Sequence, residues 1–168
     1  GYVFFYNAAY YLENPLLILH VWQGGMSFHG ALIGVGLALF TMAKRHNIAF
    51  LALSDRVAMV TPIGLFLGRL SNFINGELYG RVTDVPWAMI FPHSDGLPRH
   101  PSQLYEAGLE GIALGLAMYL CWRRGWLKAT GRLTGLFLFG YGLARFLVEL
   151  VRQPDAHIGL LAGGLSMG

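Results

Sequence analysis

The sequence predicts an all-α fold, a polytopic membrane helix bundle with four complete spans. Three observations predict it. Of 168 residues, 55% are hydrophobic and only 12% are charged, at a mean hydropathy of +0.50. A soluble domain carries about 25% charged residues, so there are too few charges here to cover a wet surface. Four segments approach the roughly 20 mostly apolar residues that a bilayer-spanning helix needs. Glycine is abundant, at 23 residues, which suits helices whose backbones approach closely in lipid. The same figures exclude disorder and coiled coil, since both need many more charges.

The first span runs from about Met26 to Ala43 and is closed by Lys44, Arg45 and His46. The second runs from about Val57 to Ile74, after the charged pair Asp55 and Arg56, and Pro62 within it predicts a kink. The third runs from about Gln103 to Trp122 and ends at Arg123 and Arg124; the fourth runs from about Leu133 to Leu150. Residues 1–12 read as the tail of an earlier helix and 158–168 as the approach to a later one. With no initiator Met, the chain reads as a fragment: one integral membrane domain over residues 1–168.

Basic residues orient the spans, because cytoplasmic loops carry the excess of Lys and Arg. Lys44, Arg45 and Arg56 flank the first loop, and Arg123, Arg124, Lys128 and Arg132 fill the loop between spans three and four. Both loops are therefore expected on the inner side, with Asp55 and the basic residues meeting anionic lipid heads. The net charge of +3 is small and is absorbed by this pattern, so a lipid bilayer is the expected partner and nucleic acid is not. Residues 76–102 fall on the outer side, where Tyr79, Trp87 and Trp22 suit an interfacial aromatic belt. The pairs Gly30/Gly34, Gly64/Gly68, Gly111/Gly115 and Gly131/Gly135 have the small-xxx-small spacing of close helix contacts. The single cysteine, Cys121, excludes an internal disulfide and sits at the inner end.

Ionisable residues inside spans are costly to bury, so they are functional candidates. His29 opens the first span at its outer end. Arg69 and Asn72 share a face in the outer part of the second, and Glu77, Gly80 and Arg81 follow just outside. In the fourth span Arg145, Glu149 and Arg152 stand at i, i+4 and i+7, with Tyr141 one turn below. All gather in the outer half. Each also has a structural reading. His29 can cap a helix, Arg69 can snorkel outward, Arg145 and Glu149 can form a structural ion pair, and Arg152 can sit at the interface. Glu106 and Glu110, at i and i+4 in the third span, are as well placed to pair with the arginines as to do chemistry.

Arginine matches phosphate geometry and keeps its charge at any relevant pH. A histidine at a helix N-terminus is held neutral by the dipole and can accept a proton. The set therefore points to phosphate-ester lipid chemistry with a proton acceptor. No HExxH pattern or cysteine cluster offers a metal site, no cofactor motif is present, and no Gly-x-Ser-x-Gly elbow supplies a serine nucleophile. A rhomboid-like protease would need a membrane-embedded serine partner that Ser27 and Ser71 do not match, and an anion path predicts charges spread through the membrane depth.

The run Met26–Gly34, with His29-Gly30 at its centre, resembles the His-Gly segment of the bacterial prolipoprotein diacylglyceryl transferases. The run Gly68-Arg69-Leu70-Ser71-Asn72-Phe73-Ile74-Asn75-Gly76-Glu77-Leu78-Tyr79-Gly80-Arg81 is similar to that family's long signature. Arg99–Glu106, Gly140–Glu149 and Arg152–Asp155 also resemble family motifs, in order and over nearly the whole chain. Ser71 stands where family members more often have Gly. The resemblance implies about seven spans in the full fold, with the first, most of the second and the last missing here. It implies transfer of the diacylglyceryl group from phosphatidylglycerol to the lipobox cysteine thiol of an exported prolipoprotein, in the bacterial cytoplasmic (inner) membrane. A thioether would form and glycerol phosphate would leave, and the nucleophile would belong to the substrate. It also implies importance for His29, Arg69 and Arg145 in catalysis. Asn72, Glu77, Gly80, Tyr141, Glu149 and Arg152 would line the substrate site around them. In the expected scheme Arg69 and Arg145 hold the phosphate, His29 takes the thiol proton, Glu149 holds Arg145 in place, and Arg152 guides the headgroup.

Overall fold

The computed structural model describes residues 28–92 and 94–152, with residues 28 and 29 as backbone only. The described residues form four long helices: α1 (Phe28–Arg45), α2 (Phe50–Asn75), α3 (Ser102–Arg123) and α4 (Arg132–Glu149). Two of them, α2 and α3, are long and apolar enough to cross a membrane. The remaining two are shorter; α1 ends in Lys44 and Arg45, and α4 carries Arg132, Arg145 and Glu149. The chain divides into two compact units, residues 1–53 and 54–168.

Within the first unit, α1 ends where the sequence changes from apolar residues to Lys44 and Arg45. The chain then turns through Asn47, which adopts a left-handed φ of 53°, and the Ile48 amide donates to the Ala43 carbonyl to close the turn. Helix α2 begins at Phe50, well before the Val57 start expected from hydropathy. Asp55 and Arg56 are therefore inside a helix and not in a loop.

The second unit explains why. Asp55 is 1% exposed. Its carboxylate accepts hydrogen bonds from the Gly131 amide, the Thr134 amide and the Thr134 hydroxyl, each at 2.7 Å. These amides are the unsatisfied donors at the N-terminus of α4, and the N-cap residue, Gly131, has no side chain to meet them. Asp55 thus caps α4 from a neighbouring helix. The expectation that it meets lipid heads is wrong, because a buried carboxylate needs donors and finds them at a positive dipole end.

Helices α2, α3 and α4 run alternately up and down, so two different zones form at their two ends. At the end holding the start of α2, the end of α3 and the start of α4, Ala58, Leu114, Met118 and Leu133 make a buried apolar core, with Cys121, Trp126, Phe137 and Tyr141 packed on it. Gly111 and Gly115 bring α3 against α2. A Cβ on Gly111 would lie 2.6 Å from the Phe66 Cβ, and one on Gly115 would lie 3.3 Å from the Pro62 Cβ. A Cβ on Gly64, Gly68 or Gly135 would meet nothing within 4 Å among the described residues. Pro62 is buried and α2 continues through it, with the Thr61 hydroxyl donating to the Val57 carbonyl at 2.8 Å. Outward faces are apolar: Ile63, Leu67, Ile112, Leu138 and Phe139 are all more than half exposed, a surface made for lipid rather than water.

Helix α3 contains a π-helical stretch, Ala107–Ala113. Its buried positions Glu106, Glu110, Leu114 and Met118 recur every four residues, a spacing that drifts around an α-helix of 3.6 residues per turn. The wider π turns cancel the drift and keep these side chains on one face. Residues 76–101 fold over the far end as a short platform. Antiparallel bridges join Val82 and Met89 to Arg99, and Gly80 to Arg152. Trp87 Nε1 donates to the Tyr105 hydroxyl at 2.6 Å, tying the platform to α3.

Candidate active site

The second zone lies at the end of the three helices beneath that platform, opposite the apolar core. Arg69 comes from the last turns of α2, Glu106 and Glu110 from the first turns of α3, Arg145 from the last turns of α4, and Arg152 from just beyond it. Glu106 is 1% exposed and Glu110 is fully buried. Arg69 Nε lies 2.9 Å from Glu106 Oε2 and 3.5 Å from Glu110 Oε2. Arg145 Nη1 lies 2.7 Å from Glu106 Oε1 and 3.8 Å from Glu110 Oε1. Arg152 Nη1 reaches within 4.0 Å of Glu106 Oε1. One carboxylate therefore meets three guanidinium groups from three directions.

This arrangement follows from desolvation. An isolated charge buried at this depth would cost many kcal/mol, so each must be paired with another. Arginine suits the task, because its planar fork keeps several donors free after one pairing. Arg69 and Arg145 keep about a sixth of their side-chain surface accessible, so part of each guanidinium still faces open space. The Oε1 atoms of Gln103 and Glu110 are buried and accept no hydrogen bond among the described residues. The accessible guanidinium surface is the part of the site suited to an anionic ligand.

The structure brings together three of the residues singled out from sequence. Arg69, Arg145 and Arg152 share Glu106. Arg152 is buried: its backbone bridges Gly80 and its carbonyl accepts from Arg81 Nε at 2.8 Å. Gly80 sits where no side chain fits: a Cβ there would lie 2.6 Å from the Val151 carbonyl oxygen and 2.7 Å from the His100 Cβ. Asn72 Nδ2 donates to Glu77 Oε2 at 3.4 Å, and the Glu77 amide donates back to the Asn72 carbonyl, closing the end of α2. Glu149 is buried one turn beyond Arg145, whose two close carboxylates, Glu106 and Glu110, both come from α3. Tyr141 stacks on Phe137 with ring centroids 5.9 Å apart, at the border between cluster and core. The His29 side chain and Trp22 lie outside the described residues.

Other contributors were less legible. Glu106 is the hub of the cluster, yet sequence spacing left it as one of two equivalent carboxylates. The signal was the run Gln103, Glu106, Glu110, all polar, all on one helix face, and all fully or almost fully buried. Gln103 Nε2 donates to the Glu77 carbonyl and Ser102 Oγ to the Leu78 carbonyl at 3.0 Å, so the start of α3 holds the platform. Leu78 adopts a left-handed φ of 55°, rare for a bulky side chain, and these two bonds fix it there. Arg99 is buried within the platform. It pairs with Asp95 at 2.8 Å, donates to the Gly80 carbonyl at 3.1 Å and lies over the Tyr79 ring at 5.1 Å. That pairing lowers the Asp95 carboxyl from its ordinary range and raises the Arg99 guanidinium. Tyr79 stacks on Phe91 at 5.3 Å.

The sequence matches the family description "Prolipoprotein diacylglyceryl transferase" over residues 1–168. Among curated relatives, it is 56% identical over 168 residues to a protein of Methylocella silvestris. It is 58% identical over 169 residues to one of Bordetella parapertussis, and 56% over 170 residues to one of Rhodospirillum rubrum. Each is named phosphatidylglycerol--prolipoprotein diacylglyceryl transferase. Each match takes in 100% of this chain, which spans 62%, 64% and 62% of the respective relatives.

Proposed function

The chain belongs to the prolipoprotein diacylglyceryl transferase family, and from that premise we propose that its charged cluster binds the phosphate of phosphatidylglycerol during transfer of the diacylglyceryl group to a prolipoprotein. The acceptor is the lipobox cysteine thiol. Its sulfur attacks the glyceryl carbon bonded to the phosphate ester oxygen, the C–S bond forms as the C–O bond breaks, and glycerol phosphate leaves. The electron pair goes to the phosphate oxygen and the thiol proton to a base.

The observation that carries this reading is the gathering of three arginines around two buried glutamates at one end of three helices, two of them apolar enough to span a bilayer. Arg69 and Arg145 hold the phosphate with the guanidinium surface left free by Glu106. They stabilise the charge that grows on the leaving oxygen, the kind of preorganised electrostatic effect that supplies most of many rate enhancements. His29 accepts the thiol proton, a step worth about 10²–10⁴-fold in general acid–base catalysis. Asn72 and Glu77 orient the headgroup at the mouth, Gly80 leaves room for the platform to close on Arg152, and Tyr141 borders the site on the side of the apolar core. Arg152 guides the headgroup inward, and Glu149 supports the end of α4. The protein is multi-pass in the cytoplasmic membrane, with the cluster in its outer half and the basic 123–132 turn inside.

Arg145→Ala tests the reading. In the complete protein, incubated with phosphatidylglycerol and a lipobox peptide, mass spectrometry should find no thioether product while membrane insertion is normal. Wild-type turnover in that variant would overturn it.

A further inference from the structure

Glu106 spends its charge in an unusual way. A site built only to attract phosphate would leave its arginines unpaired, yet here one buried carboxylate lies within 4.0 Å of all three, and a second backs two of them. The cost is direct repulsion of any anion that the arginines accept, and it scales with the charge of that anion. A phosphodiester carries one negative charge. A phosphomonoester carries about 1.5 to 2 at neutral pH.

We propose that Glu106, assisted by Glu110, is the positioning residue that sets the charge of this cluster, so that it accepts a phosphodiester monoanion and does not retain a phosphomonoester dianion. The inference rests on the reaction proposed above, in which the substrate is a diester and the released glycerol phosphate is a monoester. The arginines hold both species through the same donors. Glu106 discriminates between them because its carboxylate repels the extra charge that the product gains when the ester bond breaks. It also fixes Arg69 and Arg145 at a common point, Oε2 facing the first and Oε1 the second. The two effects have different consequences. Loss of fixation weakens every anion alike, whereas loss of the repelling charge favours the dianion.

The experiment compares two soluble probes on the complete protein in detergent or nanodiscs: glycerol phosphate, a monoester, and glycerophosphoglycerol, a diester. Titration calorimetry measures both affinities in wild type and in Glu106→Gln, which keeps the shape and removes the charge. The ratio of glycerol phosphate to glycerophosphoglycerol affinity is expected to rise about tenfold, with a matching increase in product inhibition of transfer. Glu106→Asp, which retains the charge, should restore the wild-type ratio. Should Glu106→Gln not fold, Glu110→Gln is expected to move the ratio the same way. An unchanged ratio in a folded variant overturns the proposal, as does equal weakening of both probes. These readouts need no turnover. A wild-type protein that shows the ratio shift on mutation but forms no thioether would refute the reaction and leave the role of Glu106 standing.

Discussion

At the scale of single residues, the most informative side chains are those whose burial forces them to find a partner. Asp55 is the clearest. Its two oxygens meet three donors at the start of α4, so Asp55→Ala leaves the Gly131 and Thr134 amides unsatisfied. Removal of a cap costs about 0.5–2 kcal/mol. The variant should unfold at lower temperature in a detergent melt, while the activity per folded molecule stays unchanged. Gly80 acts by absence. With the Val151 carbonyl oxygen 2.6 Å from where a Cβ would be, Gly80→Ala must push the platform off the chain carrying Arg152. Transfer should fall by at least an order of magnitude with helix content intact, as read by circular dichroism and the peptide assay.

At the scale of elements, α3 carries most of the organisation. The π stretch holds Glu106 and Glu110 in line with Leu114 and Met118, so the same helix contributes the charged hub at one end and the core at the other. Its contact with α2 depends on Gly111, where a Cβ would stand 2.6 Å from the Phe66 Cβ. Gly111→Ala should destabilise the unit by roughly 1–3 kcal/mol, the usual cost of overpacking, measured as a lower unfolding temperature with a smaller share of folded protein. The platform has a different sensitivity. Arg99 holds the Asp95 carboxyl below its ordinary value of 3.8. A depressed carboxylate pKa adds stability above the unfolded value, and this is lost as pH falls through the lower folded value. Segment 76–101 should therefore resist limited proteolysis at pH 6 and become cleavable below about pH 3.8. Asp95→Asn should remove the difference.

At the scale of the whole molecule, charge scarcity organises everything. In the second unit, an exposed basic turn at 123–132 and the Arg69/Glu106/Glu110/Arg145/Arg152 cluster lie at opposite ends of the helices. The proposed orientation puts these two groups on opposite sides of the bilayer. Single cysteines placed at Asp84 and at Arg124, in a Cys121→Ser background, should react with an impermeant maleimide from opposite faces of sealed vesicles. Labelling from one face would refute the proposed crossing.

The sequence alone determined that the chain is helical, where the apolar segments fall, and that Arg69, Arg145 and Arg152 belong together. Those conclusions rest on hydropathy and on the cost of burying charge, both of which act locally along the chain. It also carried the family motifs, since these are contiguous runs. Tertiary structure alone decided the partnerships. Sequence spacing offered Glu149 to Arg145, and it gave no sign that Glu106 and Glu110, across the helix interface on α3, lie within 4.0 Å of it. Asp55 looked like part of a loop because nothing near it in sequence reveals that it faces the bare N-terminus of α4. Gly64 and Gly68 have the same spacing as Gly111 and Gly115, yet a Cβ would meet open space at the first two and α2 at the others. The physical reason is common to all three. Burial penalties say that a group must be satisfied, but which group satisfies it depends on how helices distant in sequence are packed.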